Sequence, residues 1–342
     1  MKQILFLVLS LSMAGLAACS QSSRSIASDK PQLCYDDNGE FRILQLTDLH
    51  IIPHPDYKAR NDSTLQHIAR LVDKEKPQLI AITGDIIVAS NASPAWRELC
   101  ALLDSLQTPY FINFGNHDTE SDMSKSEVIA FVQGERYCLN DDTLSGKIAG
   151  EGNGAYAVRD KDGRKLRNVI YIFDSHAYPD KQGLGTYDWI KSDQIAWYRA
   201  QSEAFRQEAQ GIVPSLAFFH IPLPEYNEAP VDSAHFVGHR FEPVCAPEFN
   251  SGLLTAFLGQ GDVMGVFVGH DHNNDYLLNY HDSIALTYGR KTGYVSAYDE
   301  VLERGGRMII LREGEAGFDT YIITSDGISD RYAFRKNTSI IN

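Results

Sequence analysis

The sequence predicts an α/β fold, and two observations carry that expectation. Short apolar runs of strand length recur at 41–47, 79–83, 109–114, 215–219 and 263–268. Between the first three lie stretches with apolar residues at helical spacing, and such alternation implies a parallel sheet with crossover helices. The chain has 342 residues, 43% of them hydrophobic, enough to bury one large core.

Taken in order, the runs at 33–35 and 41–44 flank Asp36-Asp37-Asn38-Gly39, and Asn-Gly is a strong hairpin signal. A helix over 63–76 places Leu65, Ile68, Ala69 and Val72 on one face, and Pro77 stops it. A second helix over 94–106 groups Trp96, Leu99, Leu102 and Leu103. The polar stretch 118–153 reads as an insertion or long surface excursion. Strands follow at 154–158 and 168–173, joined by the turn Asp160-Lys161-Asp162-Gly163, then a helix over 193–207. The proline-rich stretch 221–250 reads as a long structured loop, of the kind that is often functional. From Ile284 onward, runs such as 307–311 and 320–323 suit a second sheet closing the far side.

Each of the five apolar runs named first is followed by polar residues of metal-binding type. In order these are Asp48-Leu49-His50, Gly84-Asp85, Gly115-Asn116-His117-Asp118, His220 and Gly269-His270-Asp271-His272. Asp, Asn and His suit paired hard-to-borderline cations. Side chains at successive strand ends converge on one rim of a sheet, where open α/β sheets place their sites. Alternate residues of an extended segment point the same way, so Asp48 and His50 reach one ion while Leu49 turns into the core. The same logic applies to His270 and His272. A carboxylate such as Asp85 has two oxygens and can bridge two cations, and two-metal sites favour phosphoester hydrolysis.

The ordered set D-x-H, G-D, G-N-H-D, H and G-H-x-H resembles the calcineurin-like metallophosphoesterase superfamily over 41–275. Flanking segments, including Tyr187-Asp188-Trp189-Ile190, His220-Ile221-Pro222-Leu223-Pro224-Glu225-Tyr226 and Tyr288-Gly289-Arg290-Lys291, are similar to a subgroup related to purple acid phosphatases. The resemblance implies a four-layer α/β/β/α metallophosphoesterase sandwich. It also implies two metal ions, one held by Asp48, His50, Asp85 and His272 and the other by Asp85, Asn116, His220 and His270. A metal-bridging hydroxide would attack phosphorus in line, and His117 would assist the leaving group as a catalytic residue. Asp118 would either orient His117 or cap the following segment. Purple acid phosphatases carry a tyrosine three residues after the Asp of G-D. Val88 stands there in this chain, so no purple colour is expected, and the metals remain Fe, Mn or Zn. The implied activity is that of a phosphatase on a small phosphorylated substrate. The alternatives are a phosphodiesterase acting on nucleotides or glycerophosphodiesters, or a catalytically silent ligand-binding lipoprotein.

Other residues are read less sharply. His54 either lines the pocket mouth or is an ordinary loop residue, and Asp174-Ser175-His176 either approaches substrate or forms a hydrogen-bonded cluster at a strand end. Arg290 and Lys291 are candidate phosphate ligands. His235, His239 and His281 read as surface residues. Cys34, Cys100, Cys138 and Cys245 read as buried or paired structural cysteines.

The formal charge of -14 argues against nucleic acid as a bulk partner. At the N-terminus, Lys2 precedes an apolar stretch at 4–13, and Leu16-Ala17-Ala18-Cys19 resembles a bacterial lipobox. This implies a lipoprotein signal peptide at 1–18, a lipid on Cys19, a flexible tether over 19–30 and one catalytic domain over 31–342. The protein is expected to be exported and lipid-anchored in a bacterial cell envelope, at the periplasmic face or the outer membrane. Ser20, rather than Asp, after Cys19 resembles outer-membrane sorting.

Overall fold

The computed structural model describes residues 30–230, 233–296 and 301–336. The signal peptide and Cys19 lie outside them, as does nearly all of the tether. In chain order the strands are β1 (Leu33–Cys34), β2 (Glu40–Leu46), β3 (Leu79–Thr83), β4 (Tyr110–Asn113), β5 (Gly154–Arg159), β6 (Leu166–Ile172) and β7 (Ser215–Phe218). They continue with β8 (Phe236–Val237), β9 (Val263–Val268), β10 (Leu277–Tyr280), β11 (Ile284–Tyr288), β12 (Gly305–Arg312), β13 (Gly317–Thr324) and β14 (Ile328–Arg335). The helices are α1 (Lys58–Glu75), α2 (Ala92–Ser105), α3 (Lys125–Val132), α4 (Ser192–Ala209) and α5 (Leu253–Gln260).

Two sheets result. One runs β14-β13-β12-β2-β3-β4, the other β1-β5-β6-β7-β9-β11-β10-β8. Both faces of each are covered, which is why β3 reads as continuous Leu-Ile-Ala-Ile rather than alternating. Its even-numbered residues, Ile80 and Ile82, join Ile68, Trp96 and Leu99 under α1 and α2. Its odd-numbered ones, Leu79 and Ala81, meet Phe218 and Phe267 of the other sheet. The outer face of that second sheet is closed by Tyr198 of α4 and Phe257 of α5. The result is a mixed α/β molecule with helices outside two stacked sheets, the layering expected from the sequence.

Three sequence-based expectations fail here. The turn at 36–40 forms: Asp36 Oδ1 accepts from the amides of Asn38 at 2.9 Å and Glu40 at 2.8 Å, and Gly39 takes φ +72°. No hairpin follows, because Leu33 and Cys34 pair in parallel with Val158 and Arg159 of the other sheet. The C-terminal strands do not build a second sheet either. β12 pairs antiparallel with β2 and so extends the first sheet. Strand partners at that sequence separation are chosen by face-to-face burial, which no local pattern records. Lastly, the excursion at 118–153 contains α3, which opens with a Ser124–Glu127 capping box and buries Val128, Ile129 and Val132. The long loop at 221–250 holds a 3-10 turn at Pro224–Glu228 and the short β8.

Candidate metal centre

Strands β2, β3 and β4 run parallel, so their C-terminal ends lie on one edge of the first sheet and deliver Asp48, His50, Asp85 and Asn116. The ends of β7 and β9, parallel neighbours in the second sheet, deliver His220, His270 and His272. The site thus straddles two sheets instead of lining the rim of one. The first sheet brings both carboxylates and the second brings three imidazoles.

The side chains gather into two groups, Asp48–His50–Asp85–His272 and Asp85–His220–His270, whose ligand-type atoms lie within 4.8 Å of one another. Asp85 is common to both. Its Oδ2 lies 3.2 Å from His220 Nε2 and 3.5 Å from His50 Nε2, and Asp48 Oδ1 lies 3.3 Å from His272 Nε2. His220 Nδ1 donates to the Thr83 carbonyl at 2.8 Å, which turns Nε2 toward Asp85.

Asp48 and His50 meet, though not through an extended pleat, while His270 and His272 fall into different groups. Asp48, His50, Asp85 and His270 all take left-handed backbone, with φ of 54°, 46°, 50° and 79°. Residues that carry a Cβ hold such angles only where the surroundings impose them. Here the amides of Asp48 and His50 donate to the carbonyls of Gly84 and Asp85, locking the two loops together. Leu49 is buried as expected.

Burial opposes ionisation of Asp85, yet His220 and His50 outweigh it and hold its carboxyl well below the ordinary range. Asp48 follows the same pattern, with His272 outweighing burial and lowering its pKa to about 2. His220 answers in kind: burial is overcome by Asp85, and its pKa rises to about 9. Burial and the His220 charge push His270 down to about 3.

The donor set fits a pair of cations on two independent observations. His50 Nε2, His220 Nε2, His270 Nε2 and Asn116 Oδ1 are buried polar atoms with no hydrogen-bond partner, an expensive arrangement unless something binds there. The glycines beside them leave no spare room. A Cβ on Gly84 would strike the His220 ring, one on Gly115 the Asp85 carboxylate and one on Gly269 the Thr47 hydroxyl.

Residues 41–274, most of the chain, match the calcineurin-like phosphoesterase family. The chain belongs to that family. Among curated proteins it is similar to the Arabidopsis thaliana protein named probable inactive purple acid phosphatase 29, 30% identical over 93% of this chain and 90% of that one. It is also 29% identical to Arabidopsis thaliana probable inactive purple acid phosphatase 14, over 84% of this chain and 79% of the relative. Phosphatase DCR2 of Saccharomyces cerevisiae is 29% identical over 75% of this chain, which spans 48% of that longer protein.

His117 opens a 3-10 turn (His117–Thr119), with its ring 5.5 Å from that of His50. Its amide donates to Asp85 Oδ1 at 2.9 Å. Asp118 does not orient it. That carboxylate is buried and accepts from the amides of Ile86 at 2.8 Å, Ile87 at 3.1 Å and Gly115 at 2.8 Å. Burial and the Asp85 charge raise its pKa to about 6. Asp118 therefore ties the loop after β3 to the loop after β4, and the catalytic role expected of it gives way to a structural one. The acid that does approach His117 is Glu120, whose Oε2 lies 3.0 Å from Nδ1. Sequence reading missed it, although an acid at i+3 in a short turn is a usable signal.

The phosphate-binding reading of Arg290 fails. Its guanidinium is buried against Asp275, at 2.9 Å from Nε, and bonds the Glu303 carbonyl. Lys291 is also buried and reaches the Asn273 side chain at 3.3 Å. Asp174-Ser175-His176 forms the strand-end cluster. Lys125 pairs with Asp174 at 2.7 Å, and His176 bonds Gln194 at 2.9 Å. His54 is exposed and caps a turn. His239 keeps 40% of its side chain exposed and meets Asp275 at 3.1 Å. The four cysteines are not bonded to one another.

Proposed function

We propose that this phosphoesterase hydrolyses phosphoric monoesters at a two-metal centre, with His117 assisting the leaving group. The observation that carries the reading is the pair of side-chain groups sharing Asp85, each with buried donor atoms lacking any protein partner. One ion would be held by Asp48, His50, Asp85 and His272, the other by Asp85, Asn116, His220 and His270; Fe, Mn and Zn all suit such ligands. Bound there, the cations would activate water as a nucleophile and neutralise charge on the phosphoryl oxygens.

The chain's own groups do the rest. Asp85 Oδ1 accepts from the His117 amide, which ties the backbone of the proton donor to the shared carboxylate. The His117 side chain is 37% exposed, open enough to meet an ester oxygen. Its Nδ1 faces Glu120, which leaves Nε2 to deliver a proton to the departing alcohol. Gly115 lets Asn116 and Asp85 approach more closely than any Cβ would allow.

Steady-state hydrolysis of p-nitrophenyl phosphate and bis-p-nitrophenyl phosphate, with metal content measured on the same sample, tests this. Two ions per chain with faster monoester turnover are expected. His117→Ala should retain both ions and lose about 10²–10⁴-fold in kcat. A protein that neither binds metal nor turns over after reconstitution with Mn, Fe or Zn overturns the reading and favours a silent binding role. The relatives named inactive keep that outcome in view. A diesterase is the second reading. It is favoured by the inward commitment of Arg290 and Lys291, which removes two cations that a dianionic monoester would use, and by the exposed Glu120 carboxylate beside His117.

We further propose that a lipid on Cys19 anchors the chain, a reading that rests on Lys2, the apolar stretch 4–13 and Leu16-Ala17-Ala18-Cys19. Cys19→Ala should move the protein from the membrane fraction to the soluble fraction, and an intact N-terminus by mass spectrometry would sink it.

A further inference from the structure

Four polar side chains in contact run from a candidate metal ligand to the candidate proton donor. Asn116 Nδ2 donates to Tyr178 Oη at 3.0 Å. Tyr178 Oη donates to Glu120 Oε1 at 3.3 Å. The other oxygen of the same carboxylate, Oε2, lies 3.0 Å from His117 Nδ1. Asn116, His117 and Glu120 are fixed by one 3-10 turn, in which the Glu120 amide donates to the His117 carbonyl at 3.0 Å. Side chains at i and i+3 eclipse in that geometry, which brings the Glu120 carboxylate over the imidazole. Tyr178 comes from the segment after β6 and closes the set from the second sheet.

The direction of these bonds is not arbitrary. An ionised carboxylate only accepts, so Tyr178 must spend its single proton on Glu120. Its oxygen can then only accept from Asn116, which forces Nδ2 toward the tyrosine. The carboxamide oxygen is thereby turned away from the tyrosine, and Asn116 Oδ1 is buried and left without a protein partner. Flipping the amide would set the NH2 group toward the cation and two acceptors against each other. The remaining carboxylate oxygen lies 3.0 Å from His117 Nδ1 without completing a hydrogen bond, so it acts on the ring through its charge and its position.

We infer that Glu120 and Tyr178 are positioning residues: together they fix the Asn116 carboxamide for metal binding and the His117 ring for the leaving group. Neither touches the reacting atoms. The inference rests on the two-metal reading above and adds the side chains that aim it. Outer-shell partners of this kind typically change metal affinity 10–100-fold when removed.

The test uses the full chain, stripped of metal and titrated with Zn against a competing chelator. Wild type should show two sites. Tyr178→Phe should weaken one of them about 10–100-fold and leave the other unchanged, with an unchanged thermal melt, since Tyr178 is 44% exposed. Two unaltered sites in Tyr178→Phe would overturn the inference while leaving the two-metal reading intact. A wild-type chain with no sites would overturn both.

For Glu120, the metal-loaded protein is assayed on aryl phosphates of graded leaving-group pKa. Glu120→Ala should slow phenyl phosphate at least about 10-fold more than 2,4-dinitrophenyl phosphate, with KM little changed and no further loss when combined with His117→Ala. Equal losses across the series, or losses that multiply with His117→Ala, would show a structural role only. If His117→Ala itself shows no leaving-group dependence, the donor reading fails separately. Should no aryl ester turn over, the His117 ring in metal-loaded crystals decides: an orientation identical in Glu120→Ala and wild type overturns the assignment.

Discussion

At the scale of single residues, the site is built by backbone that the sequence would not advertise. Four of the gathered residues adopt left-handed angles, and glycines stand where any Cβ would collide with a neighbouring side chain. Gly115→Ala is therefore expected to fold but to lose metal. The added methyl would displace Asp85, the residue shared by both groups, and a loss of on the order of 100-fold in affinity is expected. Metal analysis of the purified variant checks it, and full occupancy would contradict the close-approach argument. A second residue acts on stability. His67 is buried against Tyr294, with ring centroids 5.8 Å apart. Burial, then the Arg70 charge, lowers its pKa to about 4, against the opposing pull of Glu303. The unfolded chain takes up this proton near pH 6.5 and the folded chain only near pH 4. Stability is thus complete above 6.5 and falls by up to about 3 kcal/mol as pH drops to 4. His67→Gln should flatten that part of the stability–pH curve in denaturant unfolding; an unchanged slope would dismiss the assignment.

At the scale of elements, most of the periodic signal was legible. The helix expected over 63–76 exists but begins earlier, at Lys58, after a turn opened by Pro55. Its end is where Pro77 placed it, because the residue before a proline is driven out of the helical region. Lys76 closes the helix in left-handed conformation at φ 47°, with its amide bonded to the Val72 carbonyl at 2.9 Å. Glycine has no steric penalty there. Lys76→Gly should raise stability by about 0.5–1 kcal/mol, since the exposed pair with Asp73 that it removes is worth little. A lower melting midpoint would show that the pair outweighs the strain. By contrast, α3 escaped notice because its eight residues lie within a stretch rich in Asp, Ser and Gly, too short for a clear period.

At the scale of the molecule, the two sheets must sit at a fixed spacing for carboxylates from one to meet imidazoles from the other. Phe318 of β13 and Phe267 of β9 pack at 5.4 Å between them, and a Cβ on Gly265 would come within 2.8 Å of the Phe318 ring. Gly265→Ala should cost about 1–3 kcal/mol by overpacking, and weaker metal binding is expected as the sheets part. A stable variant with unchanged metal affinity would show that the interface yields locally. Arg307 of β12 is the polar counterpart. It is fully buried and donates to the carbonyls of Tyr288 at 2.7 Å and Asp275 at 2.5 Å and to Thr320 Oγ1 at 3.1 Å. Arg307→Ala would strand those acceptors, and a loss of about 3–5 kcal/mol in urea unfolding is expected.

The sequence alone determined which residues are candidate metal ligands and that each follows a buried strand, because ligand type and strand ends are local properties. Asp48, His50, Asp85, Asn116, His220, His270 and His272 were all nameable from residue type and place in the chain; the fold gathers the six Asp and His side chains into two groups and leaves Asn116 Oδ1 buried without a partner. What only the tertiary structure decided is who partners whom. It put β12 beside β2 and β1 beside β5, turned Arg290 inward onto Asp275, and set Glu120, not Asp118, against His117. Those choices depend on which faces bury together and which unpaired polar atoms find each other across long separations. Composition and spacing record neither.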